Sequence, residues 1–313
     1  MKVAGILAAA LLFAALPWLT SSNYVIGIAV SACVFTTAAA ALNLVYGFAG
    51  LLSFAQLGFW GIGGYAAALT VTRFGGSFWQ GLLWAGLIDT AAALVIGYPA
   101  LRTNRHAFVI VSLAFALLVT LVARDWVGLT RGPLGIPGLP GPTLFGLELR
   151  TTPRFYWVAY VYALLALGIL HALSTSRIGR TLMAIKQNEP LVRAHGIAPR
   201  PYKLAAFAIG AAITGIGGGI YAFHLKIIDP LFLDFYYLQT FLIIVIIGGA
   251  GSFWGVVLAG MVMSTLPEVL RFSEDFRMIV YGAVLLVAML AMPNGAGGWL
   301  AARRFTRTRA ELR

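Results

Sequence analysis

Apolar residues run along the chain in nine blocks, at about 3–19, 24–46, 51–72, 78–101, 107–123, 155–174, 203–224, 238–266 and 277–293. A helix needs about 20 apolar residues to cross a bilayer. Most blocks therefore fit one crossing each. The pattern predicts an all-α polytopic membrane protein with about 8–10 transmembrane helices, some broken or re-entrant. The first block follows Lys2 and has the start of a signal peptide. A second begins at Tyr24 after only Ser21-Ser22-Asn23, with no clear small-residue cleavage site, so the first is read as a retained helix.

The block 238–266 is too long for one crossing and is interrupted at Gly248-Gly249-Ala250-Gly251-Ser252. Glycines there favour a turn between two half-length helices. Charge supports a doubled-back segment. With the N-terminus inside, 14 of the 22 basic residues face the cytoplasm, with only Glu189 and Glu311 among the acids. With a single crossing the Arg-rich tail moves outside and the asymmetry vanishes. Membrane proteins collect Lys and Arg on the cytoplasmic side, so both termini are expected there.

Composition agrees. Of 313 residues, 60% are hydrophobic and 10% charged, against about 25% charged in ordinary soluble domains. This excludes a soluble enzyme and a disordered chain. The lone Cys33 excludes an internal disulfide. The net charge of +12 is read as the loop bias of a membrane protein, not as a nucleic-acid surface.

Several chemistries are missing. No phosphate-binding G-x-x-x-x-G-K-[ST] occurs, and none of the four lysines follows a glycine. His106, His171, His195 and His224 lack metal-ligand spacing. Neither a metal nor a cofactor is expected. Asp89 is the one acid well inside a span. Its first reading is packing or an interhelix hydrogen bond; use by a self-sufficient carrier or channel is the alternative.

Two outer loops are expected. Residues 124–154 carry Gly132-Pro133, Gly135, Pro137-Gly138 and Pro140-Gly141-Pro142, a turn-rich sequence. The other spans 225–237. Two Gly-interrupted segments, GFAGLLSFAQLGFWGIGGY (47–65) and GGAGSFWGVVLAG (248–260), resemble each other and suggest an internal repeat. Such pairs point to a pathway at mid-membrane, although small residues also serve close helix packing. The longest cytoplasmic loop, 175–203, places Ile178, Leu182 and Ile185 on one helical face. Asn188 or Glu189 can cap a second, short helix with Pro190 in its first turn, and Gly196 provides a left-handed stop. A short surface helix between spans suits docking of a cytoplasmic partner; lying on anionic lipid is the other reading.

The loop SRIGRTLMAIKQNEPLVRAHGIAPRPYKLAAF (176–207) resembles the coupling loop of bacterial ABC importer permeases. Three further blocks carry a narrower resemblance, to M-type permeases of branched-chain amino-acid importers: LNLVYGFAGLLSFAQLGFWGIGGY (42–65), LRTNRHAFVIVSLAFALLVTLVARDWVGLTRGPLGIPG (101–138) and LIIVIIGGAGSFWGVVLAGMVMSTLPEVLR (242–271), followed by Met292-Pro293-Asn294-Gly295. They fall in family order over about 20–298. His106-Ala107-Phe108 and Gln56 depart from the family's usual residues. Relatives also serve urea or short amides, so the solute stays open.

The resemblance implies a single transmembrane permease domain (1–300) and a basic cytoplasmic tail (301–313), in a bacterial inner membrane. It is not itself an enzyme. Its implied partners are a second permease, two cytoplasmic ATPases and a periplasmic substrate-binding protein, within the lipid bilayer. Arg180, Ile185, Lys186, Glu189, Arg193 and Gly196 would couple to the ATPases. The pathway would be lined by Gly47, Gly50, Ser53, Gln56, Gly61, Gly64, Tyr65, Gly248, Gly249, Gly251, Ser252 and Gly255, with half-helix ends offering free N–H and C=O groups to the solute.

Overall fold

The computed structural model describes Phe13 and residues 16–20, 22–144, 147–148 and 151–269. The block at 277–293, the tail 301–313 and most of the first block lie outside the described residues. Helix α1 spans Asn23–Leu42 and runs into a π-helical turn, Asn43–Phe48. Then come α2 (Ala55–Thr72), α3 (Phe78–Ala100), α4 (Arg105–Asp125) and α5 (Thr152–Thr175). Two short helices follow, α6 (Arg177–Gln187) and α7 (Glu189–Ala194). The chain then forms α8 (Pro199–Leu225), α9 (Phe235–Gly248) and α10 (Phe253–Val269).

Among the described residues, six segments are long and apolar enough to cross a membrane: 23–48, 78–100, 105–125, 152–175, 199–225 and 230–248. Helix α2 is not one of them, being rich in small residues and packed inside the bundle. Its partners α3 and α8 enclose it. The expected block 51–72 begins as helix only at Ala55, because residues 51–54 are non-helical.

Glycine makes this burial possible. A Cβ on Gly63 of α2 would lie 2.2 Å from the Gly215 carbonyl oxygen on α8, and one on Gly218 would lie 2.1 Å from the Trp60 carbonyl oxygen. The two backbones touch directly. Apolar attraction between helices is weak in lipid, so contact at this range supplies the dispersion energy that holds the pair. Asp89 on α3 is fully buried against the same spot. A Cβ on Gly215 would fall 1.6 Å from its Oδ2. The expected interhelix hydrogen bond is absent: neither Asp89 oxygen has a partner among the described residues. The acid occupies space that Gly215 leaves.

Segment 238–266 doubles back. Phe35 of α1 packs on Tyr237 and Phe241 of α9, Asn43 reaches Gly251, and Thr36 lies against Gly260 of α10. Helix α9 therefore runs alongside α1 and α10 returns. With 14 and 17 residues, the two arms rise about 21 and 25 Å at 1.5 Å per residue, longer than half-spans.

The two expected outer loops meet. Strand β1 (Ile136–Pro137) from the Gly/Pro-rich loop pairs antiparallel with β4 (Ile227–Ile228), placing Ile136 opposite Ile228. Between them in sequence, β2 (Thr143–Leu144) pairs with β3 (Leu147–Glu148). A 3₁₀ turn, Pro230–Leu233, follows β4. It packs into α2, where Gly61 and Gly64 leave room for Leu233, Ile228 and Phe232.

Gly63→Val is expected to be lost from the folded fraction, since overpacking costs about 1–3 kcal/mol even where a core can shift, and here the neighbour is backbone. Gly168→Ala on α5 has open space around it and should hold or raise stability by up to about 1 kcal/mol. Thermal unfolding in detergent, followed by size-exclusion fluorescence, checks the pair.

Candidate functional site: a junction of two helix breaks and the α6–α7 loop

The two Gly-rich segments singled out in the sequence come together in space. The π turn that ends α1 leads to Gly50, whose φ is +72°; between α9 and α10, Gly249 and Gly251 have φ of 91° and 98°. These left-handed or extended-positive conformations favour glycine. A Cβ on Gly47 would stand 2.4 Å from the Gly251 nitrogen, so the breaks touch backbone to backbone. Asn43 staples them. Its Oδ1 accepts from the Gly251 N–H at 2.9 Å, and its Nδ2 donates to the Ser252 carbonyl at 3.4 Å.

Helix α6 joins the same contact. The Lys186 ammonium donates to the Gly47 carbonyl at 2.7 Å, and its aliphatic stem covers Gly50, where a Cβ would be 2.9 Å from Lys186 Cγ. Met183 lies beside Gly251. Arg105 at the start of α4 donates to the Lys186 carbonyl at 3.1 Å. Burial, then the Arg105 charge, hold the Lys186 ammonium below the usual lysine range.

The loop is built by local chemistry. The Ser176 hydroxyl accepts from the N–H groups of Ile178 and Gly179, opening α6. Asn188 caps α7 by accepting from Leu191, with Glu189 and Pro190 as its first residues. The helix closes on Gly196 at φ +80°, where Gly196 N–H bonds Arg193 O and Ile197 N–H bonds Val192 O. That double closure is the Schellman stop. Glu189 bonds both Arg193 and Lys203, each at 2.6 Å, tying α7 to the start of α8. Burial raises the Glu189 carboxyl, but hydrogen bonds and charge from Lys203 and Arg193 outweigh it and hold it below the usual glutamate range.

The expected coupling residues divide. Arg180 and Arg193 are exposed. Ile185 is fully buried beside Leu182, while Ile178 is 43% exposed, so the apolar stripe serves the chain's own core at one end only. Lys186 points inward, as above.

The expected pathway residues also divide. Gly47, Gly50, Gly249, Gly251 and Ser252 form the junction; Gly248 sits against Val256, and Gly255 donates to the Ser252 hydroxyl. Gly61, Gly64 and Tyr65 belong to the packing between α2 and the segment 228–233. Ser53 is fully buried and accepts from Ala55. Gln56 is fully buried near Gly210, and its amide lacks a partner among the described residues. One expectation is narrowed. The paired breaks follow the ends of α1 and α9 and sit next to α6. Two of their backbone groups are already taken: Lys186 takes the Gly47 carbonyl, and Asn43 takes the Gly251 N–H.

Sequence reasoning missed Asn43, although an amide inside an apolar run was its signal. It also missed the aromatic cluster around Trp60, which stacks on Phe232 at an interplanar angle of 9° and meets Phe35, Tyr221, Tyr237 and Phe241. Those residues and Trp60 are scattered over five elements, and only Tyr237 and Phe241 share a helical spacing.

Asn43→Leu should leave the partly buried Gly251 amide without its side-chain partner, at a cost of up to about 1–3 kcal/mol. Amide exchange at 249–252, read by mass spectrometry, is expected to accelerate by at least about tenfold while exchange in α3 stays constant.

Comparison with known proteins places the chain in a family. Residues 24–289 match the family model described as branched-chain amino acid transport system / permease component. The chain is 32% identical over 310 residues to the high-affinity branched-chain amino acid transport system permease protein LivM of Escherichia coli strain K12, covering 91% of this chain and 73% of that protein. It is 25% identical over 275 residues to the corresponding LivH of Salmonella typhimurium, covering 82% and 88%, and 23% identical to a probable LivM of Methanocaldococcus jannaschii. No solved structure matches. With its family model spanning all the described helices from α1 to α10, the chain belongs to the permease components of branched-chain amino acid transport systems, a family of membrane permeases and not of enzymes.

Proposed function

We propose that this chain is one of two membrane-spanning permease subunits of an ATP-driven importer in a bacterial inner membrane, with both termini cytoplasmic. It moves branched-chain amino acids, or a related small polar solute, by alternating access. The branched-chain amino acid transport systems to which its LivM and LivH relatives belong support the solute class and the pairing with a second permease. Two cytoplasmic ATPases dock on α6–α7, and a periplasmic binding protein delivers solute to the side bearing β1 and β4.

One observation carries the mechanical part: Lys186 links the docking loop to the carbonyl of Gly47, which touches Gly251. A push on α6–α7 therefore reaches the ends of α1 and α9 and the start of α10 without passing through flexible chain. Interfaces of this kind switch between discrete packings and do not deform smoothly. ATP-bound and ATP-free docking then bias two arrangements of the helix ends, which is how binding energy becomes alternating access. Glu189 keeps α7 rigid by its bonds to Arg193 and Lys203. Exposed Leu191 and Arg193 on α7 and exposed Arg180 and Ile178 on α6 face outward, available to the ATPase.

The test uses the assembled transporter in proteoliposomes. Glu189→Lys and Gly196→Pro are expected to cut solute uptake by at least about tenfold while the complex still hydrolyses ATP and the chain still inserts. Uptake at wild-type rate in both variants contradicts the assignment.

A further inference from the structure

A second site lies at the same end of the molecule. The α3–α4 turn, α7 and the first turn of α8 enclose a cavity of about 370 Å³. Arg102, Arg105, Arg193, Arg200 and Lys203 line it, with Glu189 as the single carboxylate. Glu189 is spent on Arg193 and Lys203. Arg102, Arg105 and Arg200 have no acidic partner among the described residues. Arg102 donates to the Tyr98 hydroxyl and lies 4.5 Å over its ring; Arg105 donates to a backbone carbonyl. Those partners are neutral. Arg102, Arg105, Arg193 and Arg200 are exposed at its mouth, where solvent screens part of their mutual repulsion and an anion joining them relieves more of it. Helices α4 and α8 both begin on this wall, so the positive ends of their dipoles add to the field.

The surroundings specify the kind of anion. The cavity sits where α3 ends and α4 begins, at the boundary between apolar span and polar turn. Along the outward face of α3, leading to Arg102, Leu94, Val95 and Tyr98 are exposed. Tyr98 has an apolar body beside those side chains and a hydroxyl on Arg102, as aromatic residues at a membrane interface do. A ligand with an anionic head and an apolar tail matches both features. Guanidinium forks suit phosphate oxygens, and basic pockets between spans take phospholipid headgroups.

We propose that this cavity binds the phosphate of an anionic phospholipid headgroup, with the acyl chains lying along the outward face of α3. The site shares Glu189, Arg193 and Lys203 with the base of α7, so an occupied headgroup braces the docking loop against α3 and α4. The inference stands whatever solute the protein carries.

The test is native mass spectrometry of the full chain purified in mild detergent, titrated with phosphatidylglycerol or phosphatidylcholine. Phosphatidylglycerol is expected to be retained selectively, and millimolar inorganic phosphate should leave it bound. Each basic residue near an anionic surface is worth about 1 kcal/mol, so Arg102→Gln with Arg200→Gln should weaken retention by at least about tenfold. Arg102→Lys with Arg200→Lys should keep most of it and reports that the fold tolerates change at both positions. Equal retention of the two lipids by wild type overturns the proposal. So does displacement of the lipid by inorganic phosphate, which assigns the cavity to a soluble anion. Wild-type lipid retention in the Gln variant also overturns it.

Discussion

Backbone groups released where a helix breaks must find partners within the protein wherever packing keeps water from them. The arrangement at one end of this molecule follows from that constraint. The π turn after α1 and the break between α9 and α10 each expose amides and carbonyls. They solve the problem jointly. Gly47 and Gly251 bring the two breaks into backbone contact, Asn43 satisfies groups of the second break, and Lys186 satisfies a carbonyl of the first. Since Lys186 belongs to α6, the satisfaction of the helix ends also attaches the α6–α7 loop to them.

The same reliance on glycine runs through the bundle. Helix α2 is rich in small residues and is buried between α3 and α8. Gly63, Gly215 and Gly218 let the backbones meet. Asp89 fills the space over Gly215. Beside Gly63, Gly61 and Gly64 admit the 228–233 segment against α2, and the β1–β4 ladder ties that segment to the Gly/Pro-rich loop. Two different segments thus close on this part of the chain: α6 covers Gly50 ahead of α2 through Lys186, and the 228–233 segment packs on the middle of α2 through Leu233 and Phe232.

Much of this was legible in the sequence, and the limits are physical. Span positions followed from runs of apolar residues, and the doubling back at 248–252 followed from clustered glycines and the distribution of Arg and Lys. The helix–corner–helix of 176–196 followed from Ser176, Asn188 and Gly196, each a local capping signal. Resemblance of four blocks in order gave the family. Hydropathy could not show that residues 51–54 leave the helix, since Leu51 and Leu52 are as apolar there as in a span. Nor could it show which way a glycine faces: Gly47 and Gly61 look alike in sequence, yet one meets a helix break and the other a leucine. Lys186 had a signal that went unused. It stands four residues after Leu182, on the buried stripe of α6, so its stem points inward even though its charge suggested a partner outside.

The account depends on α6 and the two breaks moving as one body. The measurement is the distance between spin labels at Arg180 on α6 and Ala250 in the second break, both exposed, in the assembled transporter with and without trapped ATP. A third label at Val95 on the outer face of α3 provides the reference. The account predicts a constant Arg180–Ala250 distance and a changed Ala250–Val95 distance. A changed Arg180–Ala250 distance with Ala250–Val95 fixed would contradict it, since the loop would then move without the helix ends.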